Sequence, residues 1–143
     1  MDPAPPAGVE VIETTADVGL ELRGGTLADV FLLALAGFSY LTIGEVVTSA
    51  ETWRDVELDS DTIPELLVAW LQWALVQFDA DGWIPARAEL ELRGRTLRAR
   101  VGGTQFSALN NSVWYYLKGV SYHRLDVCEN SDGTCVARVL FDV

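Results

Sequence analysis

Few side chains in this 143-residue chain are suited to acid–base or metal chemistry. His123 is the only histidine, so a His-rich zinc site is excluded, and any Ser–His catalytic triad would have to use that residue. The sequence has no P-loop, no G-x-G-x-x-G after a strand, no C-x-x-C and no G-x-S-x-G. The remaining candidates are two carboxylates, one lysine and His123.

The end of the chain carries a pair of negative charges that suits a divalent cation. Asp142 follows an apolar run and precedes Val143, whose terminal carboxylate is the second charge. A bound cation would relieve the repulsion, and carboxylate oxygens are suitable ligands for magnesium, calcium or manganese. A solvated chain end explains Asp142 equally well. Asp17 lies in a polar connection between two apolar segments, where an Asp commonly caps a turn.

Lys118 stands out because the other nine basic residues are all arginines. A compact ammonium group and a planar guanidinium are not interchangeable, although an exposed lysine needs no functional explanation. His123, five residues later, suits a metal ligand, a base or a hydrogen-bonded, half-buried residue.

The last two predicted strands suggest how these residues pair. If Cys128 faces Cys135 across the turn at 129–134, His123 opposes Leu140 and Ser121 opposes Asp142. Asp142 is then diagonal to His123, within hydrogen-bonding reach. A β-bulge would change this register.

The same register makes a disulfide between Cys128 and Cys135 geometrically possible. Two free thiols are the preferred prediction, because two cysteines in 143 residues are too few for a secreted disulfide scaffold.

Helices and strands must hold these residues in place. Thr26 with Asp29, and Thr62 with Glu65, have the spacing of residues that open a helix. Helices are predicted at 27–40 and 63–78, and strands at 9–13, 18–22, 46–58, 88–92, 96–101, 105–109, 114–127 and 135–143. This order predicts an α+β fold, a mostly antiparallel sheet with two packed helices.

The predicted organisation is a Pro-rich flexible tail over residues 1–8 and a single domain over residues 9–143. The N-terminus lacks the features of a signal peptide, and the apolar helix at 27–40 is too short to span a membrane, so we expect a cytoplasmic protein without a membrane partner.

Charge argues against one class of partner. Asp and Glu total 21 against 10 Lys and Arg, giving a net charge of −11 and a sequence pI of about 4.3. Such a chain lacks the excess of basic residues that binds phosphate backbones, so direct nucleic-acid binding is not expected. The acidity fits solubility, an unusual cellular composition, or docking on a basic partner.

Together these motifs resemble the archease family. The resemblance spans roughly residues 10–143, with matching order and spacing. It is carried by residues 15–19, Thr26-Leu27, residues 65–71, Lys118, residues 120–125 and residues 137–143.

The resemblance implies an acidic α+β accessory protein, chaperone-like and not an enzyme. Archeases assist the RtcB-type RNA ligase in tRNA splicing and RNA repair. They promote guanylylation of the ligase with GTP and a divalent metal, and so permit repeated turnover. GTP would therefore be used only through the partner ligase.

The resemblance also assigns residues. The family's functional Asp, Lys and Asp correspond to Asp17, Lys118 and Asp142. The two carboxylates resemble metal ligands, with the Val143 carboxylate as a third, and Lys118 would offer a charge to phosphate or to a ligase carboxylate. The candidates for support around these ligands are Glu13, Ser121 and His123.

The sequence departs from the family pattern near these positions. Thr14 stands where the family commonly has His, and Gly119 replaces the usual Ala. Gly103-Thr104 and Asn110-Asn111 occupy a region that usually carries an acidic residue and a His. Further metal ligands are therefore undefined.

Two other functions remain open on the residues alone. One is a divalent-metal-dependent hydrolase or nuclease that uses Asp17 and Asp142, with His123 as acid–base. The other is an interaction module without metal.

Overall fold

A computed structural model of the chain describes residues 4–108 and 112–143. Within them, helices and strands follow one another in the order expected for an α+β protein. The elements are β1 (Val9–Glu13), β2 (Asp17–Gly24), α1 (Leu27–Ile43), β3 (Thr52–Asp59), α2 (Ile63–Asp81), β4 (Trp83–Arg93), β5 (Thr96–Gln105), β6 (Gly119–Glu129) and β7 (Cys135–Asp142). A short 3₁₀ helix, Phe106–Ala108, follows β5.

The strands form two antiparallel sheets rather than one. The four-stranded sheet has the order β1-β2-β7-β6, and the three-stranded sheet has the order β3-β5-β4. The α+β class with two packed helices is confirmed, and the division into two sheets is a feature that the sequence pattern did not predict.

Both helices begin where the sequence predicts and end later than predicted. The Thr26 and Thr62 hydroxyls accept hydrogen bonds from the N–H groups three residues on. Each helix continues until a glycine takes the left-handed conformation, Gly44 at φ 77° and Gly82 at φ 72°.

The core lies between the helices and the inner faces of the sheets. Trp70 of α2 is fully buried, and its indole N–H donates to the Phe31 carbonyl of α1 at 2.8 Å. The buried Ser39 hydroxyl donates to the Pro85 carbonyl at 2.6 Å, which ties α1 to the three-stranded sheet. The largest fully buried side chains also include Trp83, Phe38 and Phe141.

Several predicted strand limits are wrong, and hydrogen bonding explains two of them. The strand predicted at 105–109 ends at Gln105, and the Phe106 N–H donates to the Gly82 carbonyl as the chain turns into the 3₁₀ helix. Leu109 lies outside the described residues.

The strand predicted from Trp114 begins at Gly119. The N–H groups of Trp114 and Tyr115 donate to the Thr42 and Leu41 carbonyls at the end of α1, so they cannot extend β6. In the other sheet, β3 begins at 52 rather than 46, and β4 at 83 rather than 88.

The predicted register between the last two strands is also wrong. Ser121 pairs with Leu140, and Asp126 pairs with Arg138, so residues 122–125 of β6 stand opposite Val139 alone. This long bulge replaces the pairs that were predicted for His123 and Ser121.

The cysteines do not face each other. Cys128 pairs with Val136 and Cys135 pairs with Glu129, a shift of one residue. Cys128 is therefore exposed, Cys135 is buried, and both are free thiols. Burial raises the pKa of the Cys135 thiol, with smaller contributions from Glu129 and Cys128, which disfavours its reactive thiolate form.

The described part of the N-terminus contacts the domain. The Pro6 carbonyl accepts from the Val9 N–H at 3.0 Å, and the Gly8 carbonyl accepts from the Arg23 N–H at 2.8 Å. The division into a tail over 1–8 and a domain over 9–143 stays a prediction. No helix within the described residues is long and apolar enough to cross a membrane.

Candidate metal site at the end of the four-stranded sheet

Asp17 and Asp142 are opposite residues of neighbouring strands. Asp17 begins β2, Asp142 ends β7, and the two form the terminal pair of that ladder. The adjacent pair, Val18 with Phe141, is buried. Because side chains alternate between the faces of a strand, the two carboxylates project from the outer face. Directly opposite residues have Cβ atoms about 5 Å apart, close enough for both carboxylates to reach one ion.

Lys118 lies at the same end of the sheet. Its main-chain N–H donates to the Asp142 carbonyl at 2.8 Å, directly before Gly119 pairs with Asp142. The sheet therefore brings Asp17, Lys118 and Asp142 together, although 101 positions separate the first from the second and 24 the second from the third.

Gly119 leaves room beside the carboxylate. A Cβ atom at this position would meet the Asp142 Oδ2 at 3.7 Å, an ordinary van der Waals contact. The family's usual Ala would therefore fit here, and the Gly makes the carboxylate slightly more open.

Thr14 organises the turn that carries Asp17. Its hydroxyl accepts from the Asp17 N–H at 2.9 Å and from the Ala16 N–H at 3.3 Å. Its own N–H donates to the Asp17 carbonyl at 3.0 Å. Thr14 thus does the work of a turn-forming residue in place of the family's His, and fixes the backbone of Asp17.

Glu13 is not brought to the acidic pair. It pairs with the buried Val18, on the opposite face from Asp17, and accepts a hydrogen bond from the Tyr115 hydroxyl at 3.0 Å. Burial, assisted by the Glu13 carboxylate, raises the pKa of Tyr115. The suggested support of the metal ligands by Glu13 stays a prediction.

Ser121 and His123 lie on the outer side of the same sheet. The Ser121 hydroxyl accepts from the His123 main-chain N–H at 3.0 Å. His123 and Asp17 line a common depression of about 260 Å³. Within the described residues, no hydrogen bond joins the His123 side chain to Asp142, so the predicted diagonal contact is absent there.

The two carboxylates by themselves do not complete the ligand set of a metal ion. In the described part of the chain, no group of three or more His, Cys, Asp or Glu side chains is arranged to hold a metal. Two carboxylates at the end of the sheet do suit a hard cation. Magnesium in particular is commonly held by one or two carboxylates, with water and phosphate completing its coordination shell. The exposed Val143, next to Asp142, stays a predicted third ligand.

A larger depression, of about 650 Å³, lies elsewhere, on the outer face of the three-stranded sheet. Its charged side chains face one another across the strands, as in the Arg98–Glu57 ion pair at 3.4 Å. Arg100 stacks near Trp53, 5.0 Å from the ring centroid. We regard this face as a cross-strand charge ladder rather than a site, because its cations are already matched.

Two basic residues near the acidic pair were missed by the sequence analysis. Arg124 and Arg138 line the depression that contains Asp17. Both lie inside segments that carry the family resemblance, but neither was singled out, because the bulge determines which way Arg124 points. The signal available in the sequence was a break in strand alternation, because the apolar Val120 and Leu125 are an odd number of positions apart and cannot share one face of a regular strand.

Comparison with known proteins covers nearly the whole chain. The model of the Archease protein family (MTH1598/TM1083) matches residues 10–143. The protein archease of Methanosarcina mazei is 32% identical over 144 aligned residues, and that of Methanosarcina acetivorans is 29% identical over 143. Each alignment covers 94% of this chain and 94% of the relative.

Two solved structures share the fold. Methanobacterium thermoautotrophicum protein 1598 superposes with a TM-score of 0.74 at 23% identity, covering 95% of this chain and 99% of its own. An archease from Thermotoga maritima, described as a possible chaperone, gives a TM-score of 0.64 at 19% identity, covering 92% and 94%.

Proposed function

Because the chain belongs to the archease family, we propose that it is an accessory protein that activates an RtcB-type RNA ligase. In this proposal it promotes the GTP-dependent and metal-dependent guanylylation of the ligase in tRNA splicing and RNA repair. The observation that carries the proposal is the pairing of Asp17 with Asp142, beside Lys118. These are the three positions that correspond to the family's functional residues.

The incompleteness of the acidic pair supports a role at an interface. Two carboxylates leave most of the coordination shell of a divalent ion open, and nucleotide phosphates are common ligands for the rest. Such an ion, when bound, would offset charge on a transferring nucleotidyl group. The sheet end is exposed, so the partner's nucleotide can approach it.

Lys118 supplies the opposite charge. Its side chain is exposed, and among the residues that the structure describes it forms no ion pair. In the proposal its ammonium group binds a phosphate of the nucleotide or a carboxylate of the ligase. The hydrogen bond from its main-chain N–H to the Asp142 carbonyl keeps Lys118 at the end of the sheet where, in the proposal, the partner docks.

Loss of either carboxylate should abolish the stimulation of the ligase. We expect Asp17→Asn and Asp142→Asn to reduce turnover to the level of ligase alone when ligase is limiting, because each removes one of the two side-chain carboxylates that would hold the ion. Asp59→Asn, at the far end of β3, makes the same charge change and should stimulate normally. The measurement is ligated RNA per ligase over many turnovers.

The same variants should not be destabilised. Like charges directly opposite in a sheet repel each other. The free energy of unfolding of each Asn variant should therefore equal that of wild type or exceed it by about 0.2–1 kcal/mol. The melting temperature should be the same or slightly higher. A folded variant that stimulates fully would contradict the proposed function, and a variant that melts below wild type would contradict the predicted repulsion.

A metal-dependent hydrolase built on the same carboxylates is tested by the isolated protein. Incubation with RNA or nucleotides and Mn²⁺ should give no product without ligase, because a lone His123 and two carboxylates form an incomplete catalytic set. Product formation that disappears in Asp17→Asn would favour the hydrolase over the accessory protein.

A further inference from the structure

Most cations of this acidic chain are already paired. Among the described residues, every basic side chain other than Lys118 and Arg124 contacts a carboxylate, a Trp ring or a carbonyl. The ion pairs are Arg23 and Arg138 with Glu21, Arg54 with Asp81, Arg93 with Glu91 and Arg98 with Glu57. Arg87 and Arg100 lie over Trp53, and Arg95 donates to the Asp61 carbonyl.

Arg124 is also held in an unfavourable conformation. Its φ of 56° is the only positive value for a non-glycine residue in the part of the chain that the structure describes. The left-handed region is costly for a side chain with a Cβ, by roughly 1–2 kcal/mol. A bulge of this kind redirects side chains, and such strain is typically retained where the direction matters.

The bulge places Arg124 in the lining of a depression of about 260 Å³. Arg138, His123 and Thr15 also line it, together with the Asp17 carboxylate and apolar side chains such as Leu140. Guanidinium, imidazole and hydroxyl groups are all able to donate hydrogen bonds to an anion. The volume suits one small oxyanion group and part of what it is attached to.

The two arginines of the depression keep hydrogen-bond donors that are not used within the described residues. Glu21 is shared between Arg23 at 2.5 Å and Arg138 at 3.1 Å, so one carboxylate serves two guanidinium groups. Arg138 contributes one amino nitrogen to that bond and keeps other donors. Arg124 forms no ion pair among the described residues, although Asp17 lines the same depression and Asp126 lines the neighbouring one.

We propose that this depression binds a phosphate group, with Arg124 as the principal cation and Arg138 as its partner. Paired guanidinium groups offer the forked, multi-donor geometry that phosphate oxygens prefer. The proposal needs neither the accessory function nor a bound metal, because Arg124 and Arg138 are not among the proposed metal ligands; Asp17, which is one of them, lines the same depression. Its chemistry is shared by inorganic polyphosphates and nucleoside triphosphates.

Calorimetry on the full chain in EDTA tests the proposal. Wild-type protein is titrated with inorganic tripolyphosphate at about 0.15 M salt, where the Debye length is about 8 Å and distant charges contribute little. We expect one site, with affinity reduced about tenfold in Arg124→Gln, the loss typical of a charged hydrogen bond. Arg93→Gln, which removes the same charge from the β4–β5 hairpin, should bind within twofold of wild type.

Absence of binding by wild type, or equal losses in the two Gln variants, would overturn the proposal. Titration with GTP separates the two sources of phosphate. Tighter binding of GTP than of tripolyphosphate identifies a nucleotide site, and equal binding identifies a site for the phosphates alone.

Arg124→Gly distinguishes this role from a structural one. Glycine adopts φ 56° without strain, so the variant should melt at the same or a higher temperature while losing tripolyphosphate binding. Binding retained in this variant would show that Arg124 is not the ligand-binding cation, and a lowered melting temperature together with lost binding would indicate a structural residue instead.

Discussion

Glu21 is the carboxylate most engaged with arginine on the outer face of the four-stranded sheet. Hydrogen bonds from Arg138 and Arg23 hold its pKa below the usual value of 4.5. A lowered pKa in the folded state contributes stability above the unfolded pKa, and that stability is lost as pH falls through the folded value. Both arginines are substantially exposed, so solvent reduces the effect.

Replacing this carboxylate should give a pH-dependent stability change. We expect Glu21→Gln to melt below wild type at pH 7, with the difference shrinking as pH falls below about 4.5. Thermal unfolding at several pH values measures it. Glu51→Gln, an exposed position directly before β3 in the other sheet, is the control for the change itself, and a difference for Glu21→Gln that is constant down to pH 2 would contradict the assignment.

At the scale of the element, β2 and β7 approach closely at one glycine. A Cβ atom on Gly19 would lie 2.4 Å from the Leu140 Cδ2 and 2.5 Å from the Val139 carbonyl oxygen. Real Cβ atoms do not come so near backbone, so the two strands would have to separate. Gly119, on the other side of β7, has no such neighbour.

These two glycines form a matched pair for mutation. Gly19→Ala should lower the free energy of unfolding by about 1–3 kcal/mol through overpacking, whereas Gly119→Ala should be neutral or stabilising. Chemical denaturation measures both. Equal effects at the two positions would mean that β2 and β7 are less tightly packed than described.

The helix starts could be predicted because their signals are local in the sequence. The strand limits could not, because they depend on contacts between residues that are far apart in the sequence. Thr26 and Thr62 cap their helices through residues three positions away, so a short window of sequence contains the whole interaction. The start of β6 depends instead on hydrogen bonds from Trp114 and Tyr115 to α1. Nothing adjacent in sequence indicates that these apolar residues are not strand.

The same limit applies to the candidate site. The resemblance assigned Asp17, Lys118 and Asp142, and the sheet brings them together. Arg124 was missed because its direction depends on a bulge, and a bulge is set by the pairing of whole strands. The register predicted from the cysteines failed for that reason.

At the scale of the whole molecule, a buried hydrogen bond joins the two helices. The Trp70 indole N–H donates to the Phe31 carbonyl at 2.8 Å, and Trp70 stacks on Trp73 at 5.9 Å between ring centroids. Burial of both partners makes this bond more valuable than one at the surface.

Trp70→Phe should therefore destabilise the whole fold. The loss combines a smaller ring with an unmatched carbonyl, and we expect about 2–4 kcal/mol in the free energy of unfolding. Trp73→Phe is the control, because the Trp73 indole is partly exposed and has no such bond within the described residues, so its cost should be smaller. Equal losses of unfolding free energy in the two variants would show that the Trp70 hydrogen bond does not account for the destabilisation.

The strand order has a consequence for biosynthesis. In the four-stranded sheet β7 lies between β2 and β6, yet it follows both in the sequence. A nascent chain on the ribosome therefore holds Asp17 without its opposite residue until the final strand has emerged and inserted. A product that is truncated before β7 therefore lacks the Asp17–Asp142 pair altogether.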